Sequence, residues 1–162
     1  MNRHRSLSLI AQTSFTETIE TLSIYVKQIA WLNTIPEKEK RPRRDTVGGD
    51  LPPITAGAYL LDLLFEIGPA QPLAMSSPVA ISELEIAAWQ NNRGISLSAW
   101  EAGTIRRLSH DYASALSKAS QASCPPFYMS PERMTADRRD KISKAMSSWA
   151  DKVNDGKGAL QK

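Results

Sequence analysis

Asp62 and Glu66 stand four residues apart, the spacing that places two carboxylates on one face of a helix. Paired acids are the raw material of general acid/base catalysis. Here no metal ligand or second catalytic group accompanies them, and a solvated stripe is the better reading. The chain has only two histidines, His4 and His110, and one cysteine, Cys124. A catalytic thiol needs a nearby base to make thiolate. Cys124 lies far in sequence from both histidines and directly precedes Pro125-Pro126, so ordinary packing is expected of it. His110 has a side chain suited to titration near neutrality beside a carboxylate, but a surface histidine on a long helix accounts for it more simply. Gly48-Gly49 lacks the lysine and the preceding strand of a phosphate loop, and neither paired Cys/His spacing nor a nucleophile elbow occurs. The sequence therefore predicts a protein that is not an enzyme, with no catalytic, cofactor-binding or metal-binding residue.

What remains is the stretch "ISELEIAAWQNNRGISLSAWEAGTIRRLSHDY", Ile81 to Tyr112, which holds two helix starts, two tryptophans and a glycine between them. Ser82 with Glu85, and Ser98 with Glu101, have capping-box spacing, in which each side chain bonds the other residue's backbone amide. Ile81 and Ile86 are placed as a hydrophobic staple across the first box, with Leu97 and Ala102 as a weaker one across the second. A DNA-reading helix–turn–helix has a tighter connection and puts base-contacting side chains at the start of its second helix. Those positions here are Ser98, Ala99, Trp100, Glu101 and Ala102, and a carboxylate there would meet phosphates unfavourably. Arg106 and Arg107 come too deep in the helix to read bases in the usual way. Duplex reading is thus disfavoured, and Trp89 and Trp100 are either core or anchors in a protein interface.

These residues need helices to position them. Ser14 and Glu17 mark a further capping box, so a helix is expected from about Thr16 to Asn33 with Ile19, Leu22, Val26, Ile29 and Ala30 on its apolar face. Pro36 ends it. "EKEKRPRRDTVGGDLPP" follows, too charged and too rich in Pro and Gly to bury much, and it is expected to be a mobile linker. "TAGAYLLDLLFEIG" is apolar on nearly every side and stops at Gly68-Pro69; such a helix is either central to the core or covered by another chain. After a proline-rich loop, the two capped helices occupy the stretch quoted above, the second continuing to Ala119 with Ile105, Leu108, Tyr112, Ala115 and Ala119 on one face. Ser130-Pro131 opens a last helix with a narrow stripe of Met134, Arg138, Ile142, Ala145, Met146, Trp149 and Val153. The tail "NDGKGALQK" should fray. No strand alternation or internal repeat appears.

The expected fold is all-α with about five helices. An N-terminal helical arm would occupy 1–35, the charged linker 36–53, a compact central domain 54–120, and a C-terminal helix with its tail 121–162. A chain of 162 residues suits one modest core. Its net charge of +3 is spread among interspersed acids and bases, which does not imply strong capture of nucleic acid. No apolar run reaches the ~18–20 residues needed to span a bilayer, the N-terminus makes a poor signal peptide, and a single thiol requires no oxidising compartment. No membrane association is expected.

From Ala58 to Lys118 the sequence resembles small proteins encoded among the tail genes of long-tailed bacteriophages, usually described as tail assembly chaperones. The likeness lies in "AYLLDLLFEIGPAQP" and continues through Gly94, Ile95, Leu97, Trp100, Glu101 and Ala102 to Arg106, Arg107, Leu108, Ser109, Asp111 and Tyr112. The resemblance implies a non-enzymatic, cofactor-free protein of the host cytoplasm that binds the tape-measure protein and recruits tail tube subunits. Leu60, Leu64, Phe65, Trp89, Trp100, Ile142, Met146 and Trp149 would then form its protein-interaction surface. A structural component of the virion tail or neck is the first alternative, a nucleic-acid-binding regulator the second, and self-association into a homo-oligomer is compatible with either binding role.

Overall fold

A computed structural model describes residues 3–73 and 76–158, with side chains over 15–73 and 77–148. Six helices and one two-stranded hairpin make up the described residues, so the class is all-α. The chain divides into two units, Met1–Tyr128 and Met129–Lys162.

The first unit is built on a pair of long helices, α1 (Arg3–Asn33) and α5 (Ala99–Ala119). Leu22, Val26 and Ala30 on α1 meet Ile105, Leu108, Tyr112 and Ala115 on α5 within one buried cluster. Both sets fall at three- and four-residue steps, which is why one face of each helix is dry. α3 (Ala58–Ile67) completes the cluster with Leu60, Leu61 and Leu64. The core thus includes α1, and the expected boundary between an N-terminal arm and a domain starting at residue 54 falls inside the compact unit. α1 also begins at Arg3 and runs straight through Ser14, which is therefore no cap. Nothing from Arg5 to Thr13 breaks a helix, so propagation from an earlier start wins over a fresh nucleation at Ser14.

The charged segment departs further from expectation. It contains a short helix, α2 (Arg43–Val47), and it is tied down rather than mobile. Glu37 N–H donates to the Ser120 carbonyl at 2.9 Å and Arg43 N–H to the Thr34 carbonyl at 3.2 Å. Arg43 itself is 5% exposed. Its guanidinium donates to the carbonyls of Ala119 (2.5 Å) and Gln121 (2.8 Å) and lies 4.8 Å from the Trp31 ring centroid. The C-terminus of α5 carries unpaired carbonyls and the negative end of the helix dipole, so one buried arginine serves as both donor and counter-charge. A smaller cluster of Trp31, Leu32 and Ala119, with Val47, Leu51, Cys124 and Phe127 packed against it, surrounds this point. Gln28, 1% exposed, closes the other side: its amide donates to the Asp50 carbonyl and accepts from Tyr128 N–H.

Between α3 and α4 (Glu83–Arg93) lies an antiparallel hairpin, β1 (Gln71–Leu73) with β2 (Ser76–Val79), where a loop was expected. Strands of three and four residues are too short to register as alternation. Ser109, fully buried on α5, anchors the hairpin's two ends by donating to the Pro69 carbonyl and accepting from Ile81 N–H. Both expected capping boxes form, at Ser82–Glu85 and Ser98–Glu101. The staple residues Ile81 and Ile86 are each 3% exposed and belong to the main cluster. Gly94 closes α4 in the left-handed region at φ 65°.

The second unit is a single long helix, α6 (Pro131–Gly158), opened by Ser130, whose hydroxyl accepts from Arg133 N–H.

Candidate protein-interaction surfaces

The residues expected to grip a partner divide by burial. Leu60 and Leu64 are fully buried in the chain's own core. Their expected place on an interaction surface is corrected: α3 packs against the α1–α5 pair, so its greasiest positions face inward. Phe65, 37% exposed, leans edge-on against Tyr112 with ring centroids 6.0 Å apart, and it seals the core's rim. Trp89 is half-buried on α4, and its indole N–H is buried without a hydrogen-bond partner among the described residues.

Trp100 is different. It is 42% exposed at the start of α5 and meets Phe15 of α1 edge-on, with centroids 5.8 Å apart. Tyr59, also about half exposed, donates its hydroxyl proton to the Glu101 carboxylate at 3.1 Å. Partial desolvation raises the Tyr59 phenol above its ordinary value, and accepting carboxylate Glu101 raises it further. The Ser98 backbone N–H holds the Glu101 carboxyl below the usual range, helped by the Ser98 hydroxyl. Glu85 is lowered in the same way by Ser82 N–H. These shifts come from two helix caps and a surface hydrogen bond.

Of Asp62 and Glu66, Glu66 pairs with Arg93 of α4 at 2.8 Å. Asp111 accepts from the Ser23 hydroxyl at 2.6 Å and pairs with Lys27 at 3.3 Å, a polar clasp between α1 and α5. Among the described residues no group of three or more His, Cys, Asp or Glu is placed to hold a metal ion.

The chain matches no protein-family model, no curated protein and no solved structure.

On α6, Ile142 is 53% and Met146 67% exposed, with Met134 exposed on the same helix. At 100° per residue these three positions span about a third of the helix circumference. The side chain of Trp149 lies outside the described residues. No helix among the described residues is long and apolar enough to cross a membrane.

Sequence reasoning missed the residues that hold the first unit shut. Arg43, Gln28 and Ser109 are buried polar side chains whose partners are backbone groups far away in sequence, and only their closeness to Trp31, to an apolar stripe and to a capped helix gave any local signal. It also missed a groove along the outside of α5. One stretch of it, about 290 Å³, is lined by Gly103, Arg106, Arg107 and His110 of α5 with Ala80 and Glu83 opposite. The next, about 300 Å³, shares Ala80 and His110 and continues past Ala113 and Ser114 to Lys118, under Pro78 and Val79 of β2.

Proposed function

We propose that this chain is a non-enzymatic binding protein that shields an aggregation-prone helical polypeptide, and that it works as a tail assembly chaperone of a long-tailed bacteriophage, in the host cytoplasm. Its partners would be the tape-measure protein and tail tube subunits. The observation that supports this reading best is α6, a 28-residue helix with Ile142 and Met146 more than half exposed. An amphipathic helix of this length gains most of its stability from covering its apolar face. A helix-in-groove or helix-on-helix contact does so, and methionine suits a surface that must adapt to its partner. The resemblance of residues 58–118 to tail assembly chaperones supplies the setting.

The test is co-expression with the tape-measure protein of the same phage. A soluble complex should elute as one peak, and Ile142→Asp with Met146→Asp should abolish it while leaving the melting of the first unit unchanged. A tape-measure protein equally soluble and uncomplexed without this chain, or this chain at fixed copy number in purified virions, refutes the chaperone reading.

A further inference from the structure

We infer that the groove between α5 and the β2–α4 segment is a binding site for an acidic stretch of a partner polypeptide. The site lies in the first unit and does not depend on α6. Its floor repeats at helical spacing, Gly103, Arg107, His110, Ser114 and Ser117, one side of α5 over successive turns. From Gly103 to Ser117 is roughly 21 Å at 1.5 Å per residue, which accommodates about six residues of extended chain.

Gly103 leaves one end of the groove open. Gly103 lies inside α5, where glycine is the least favourable residue after proline. A Cβ added there would meet nothing within 4 Å, so the chain's own packing does not demand it.

Charge selects the occupant. Arg107 and Lys118 stand toward the two ends and have no ion-pair partner among the described residues, and Arg106 reaches Glu83 only at 3.7 Å between exposed side chains. Arg106, Arg107 and Lys118 against Glu83 leave a net charge of +2. Two or three carboxylates in a six-residue segment neutralise that. Duplex DNA would bring roughly twelve negative charges over the same 21 Å, far more than the groove can answer.

Fluorescence anisotropy on the full chain tests this with a labelled octapeptide alternating aspartate and alanine. Its lysine counterpart, a short oligothymidylate and a short DNA duplex serve as competing probes. The acidic peptide should bind saturably. Gly103→Phe, which fills the groove, and Arg107→Glu with Lys118→Glu should each weaken it at least about tenfold, while Gly103→Ala keeps binding and raises the melting temperature. Should Gly103→Phe fail to fold by circular dichroism, Ser114→Trp provides the same obstruction. Ile142→Asp with Met146→Asp should leave this binding untouched, which separates its failure from that of the chaperone reading. No saturable binding of the acidic peptide, binding indifferent to the groove-filling variant, or an oligonucleotide that binds more tightly and is lost in the same variants overturns the proposal.

Discussion

Replacing Arg43 with methionine keeps the buried stem and removes the guanidinium, which isolates what the charged fork does. The consequences can be counted from its contacts. The Ala119 carbonyl loses its donor and is left unsatisfied at a buried helix end, at a cost of about 1–3 kcal/mol. The Gln121 carbonyl keeps Cys124 N–H at 3.1 Å and loses only a charge-assisted bond. Stacking on Trp31 contributes up to about 2 kcal/mol when desolvated. Against these losses stands relief from burying a cation, which offsets part of the total. A net destabilisation of about 2–4 kcal/mol follows, and a melting temperature lower by roughly 6–12 °C for a unit of this size. Arg43→Lys keeps the charge but satisfies only one carbonyl and cannot stack as a plane, so about half the loss is expected. Thermal melts by circular dichroism give the magnitude. Hydrogen exchange gives the place: the Glu37 and Arg43 amides, protected by Ser120 and Thr34, should exchange much faster in the methionine variant. A methionine variant that melts within about 2 °C of the parent, with both amides still protected, refutes the claim that this arginine fastens the 36–53 segment to the end of α5.

Three further outcomes follow from single contacts. Gly57 has φ 74°, and a Cβ there would come within 3.0 Å of Leu22 Cδ1 and 3.2 Å of Thr18 Cγ2, so Gly57→Ala should cost about 2 kcal/mol in urea unfolding through backbone strain and displaced core. Trp89→Phe removes an indole N–H that is buried unpaired, and it should leave the unfolding free energy in urea unchanged or raise it, whereas Trp89→Ala should lower it by about 1–2 kcal/mol, since the side chain is half-buried. Glu85 and Glu101 both have folded-state values below the ordinary 4.5, so the native chain holds fewer protons than the unfolded one around that pH. Their contribution is complete above 4.5 and is lost as pH falls through the folded values; Glu85→Gln with Glu101→Gln should therefore flatten the acid limb of a stability-against-pH curve measured by urea titration.

Much of the fold was legible because its signals are local. A serine three residues before a glutamate specifies a helix start through bonds that close within one turn, and both boxes at Ser82 and Ser98 form as their spacing required. The apolar stripe of α5 was legible for the same reason, since each of Ile105, Leu108, Tyr112, Ala115 and Ala119 is buried by one helix period. Ser14 and Glu17 show the limit of that logic: correct cap spacing means nothing when the preceding residues are content to be helical. The charged segment shows a deeper one. Its composition reads as solvated, yet the partners of Arg43 are backbone carbonyls 76 and 78 residues away, and backbone carbonyls leave no trace in composition. The interaction surface failed in one particular way. Greasiness on every side of α3 fits burial in this chain and burial by another equally well, and only the position of α1 against α5 decides that Leu60 and Leu64 face inward. Exposure is the discriminating quantity for a docking face. It separates Leu64 from Met146, two large apolar helical residues with the same sequence-level claim, one sealed in the core and the other 67% open to whatever covers it.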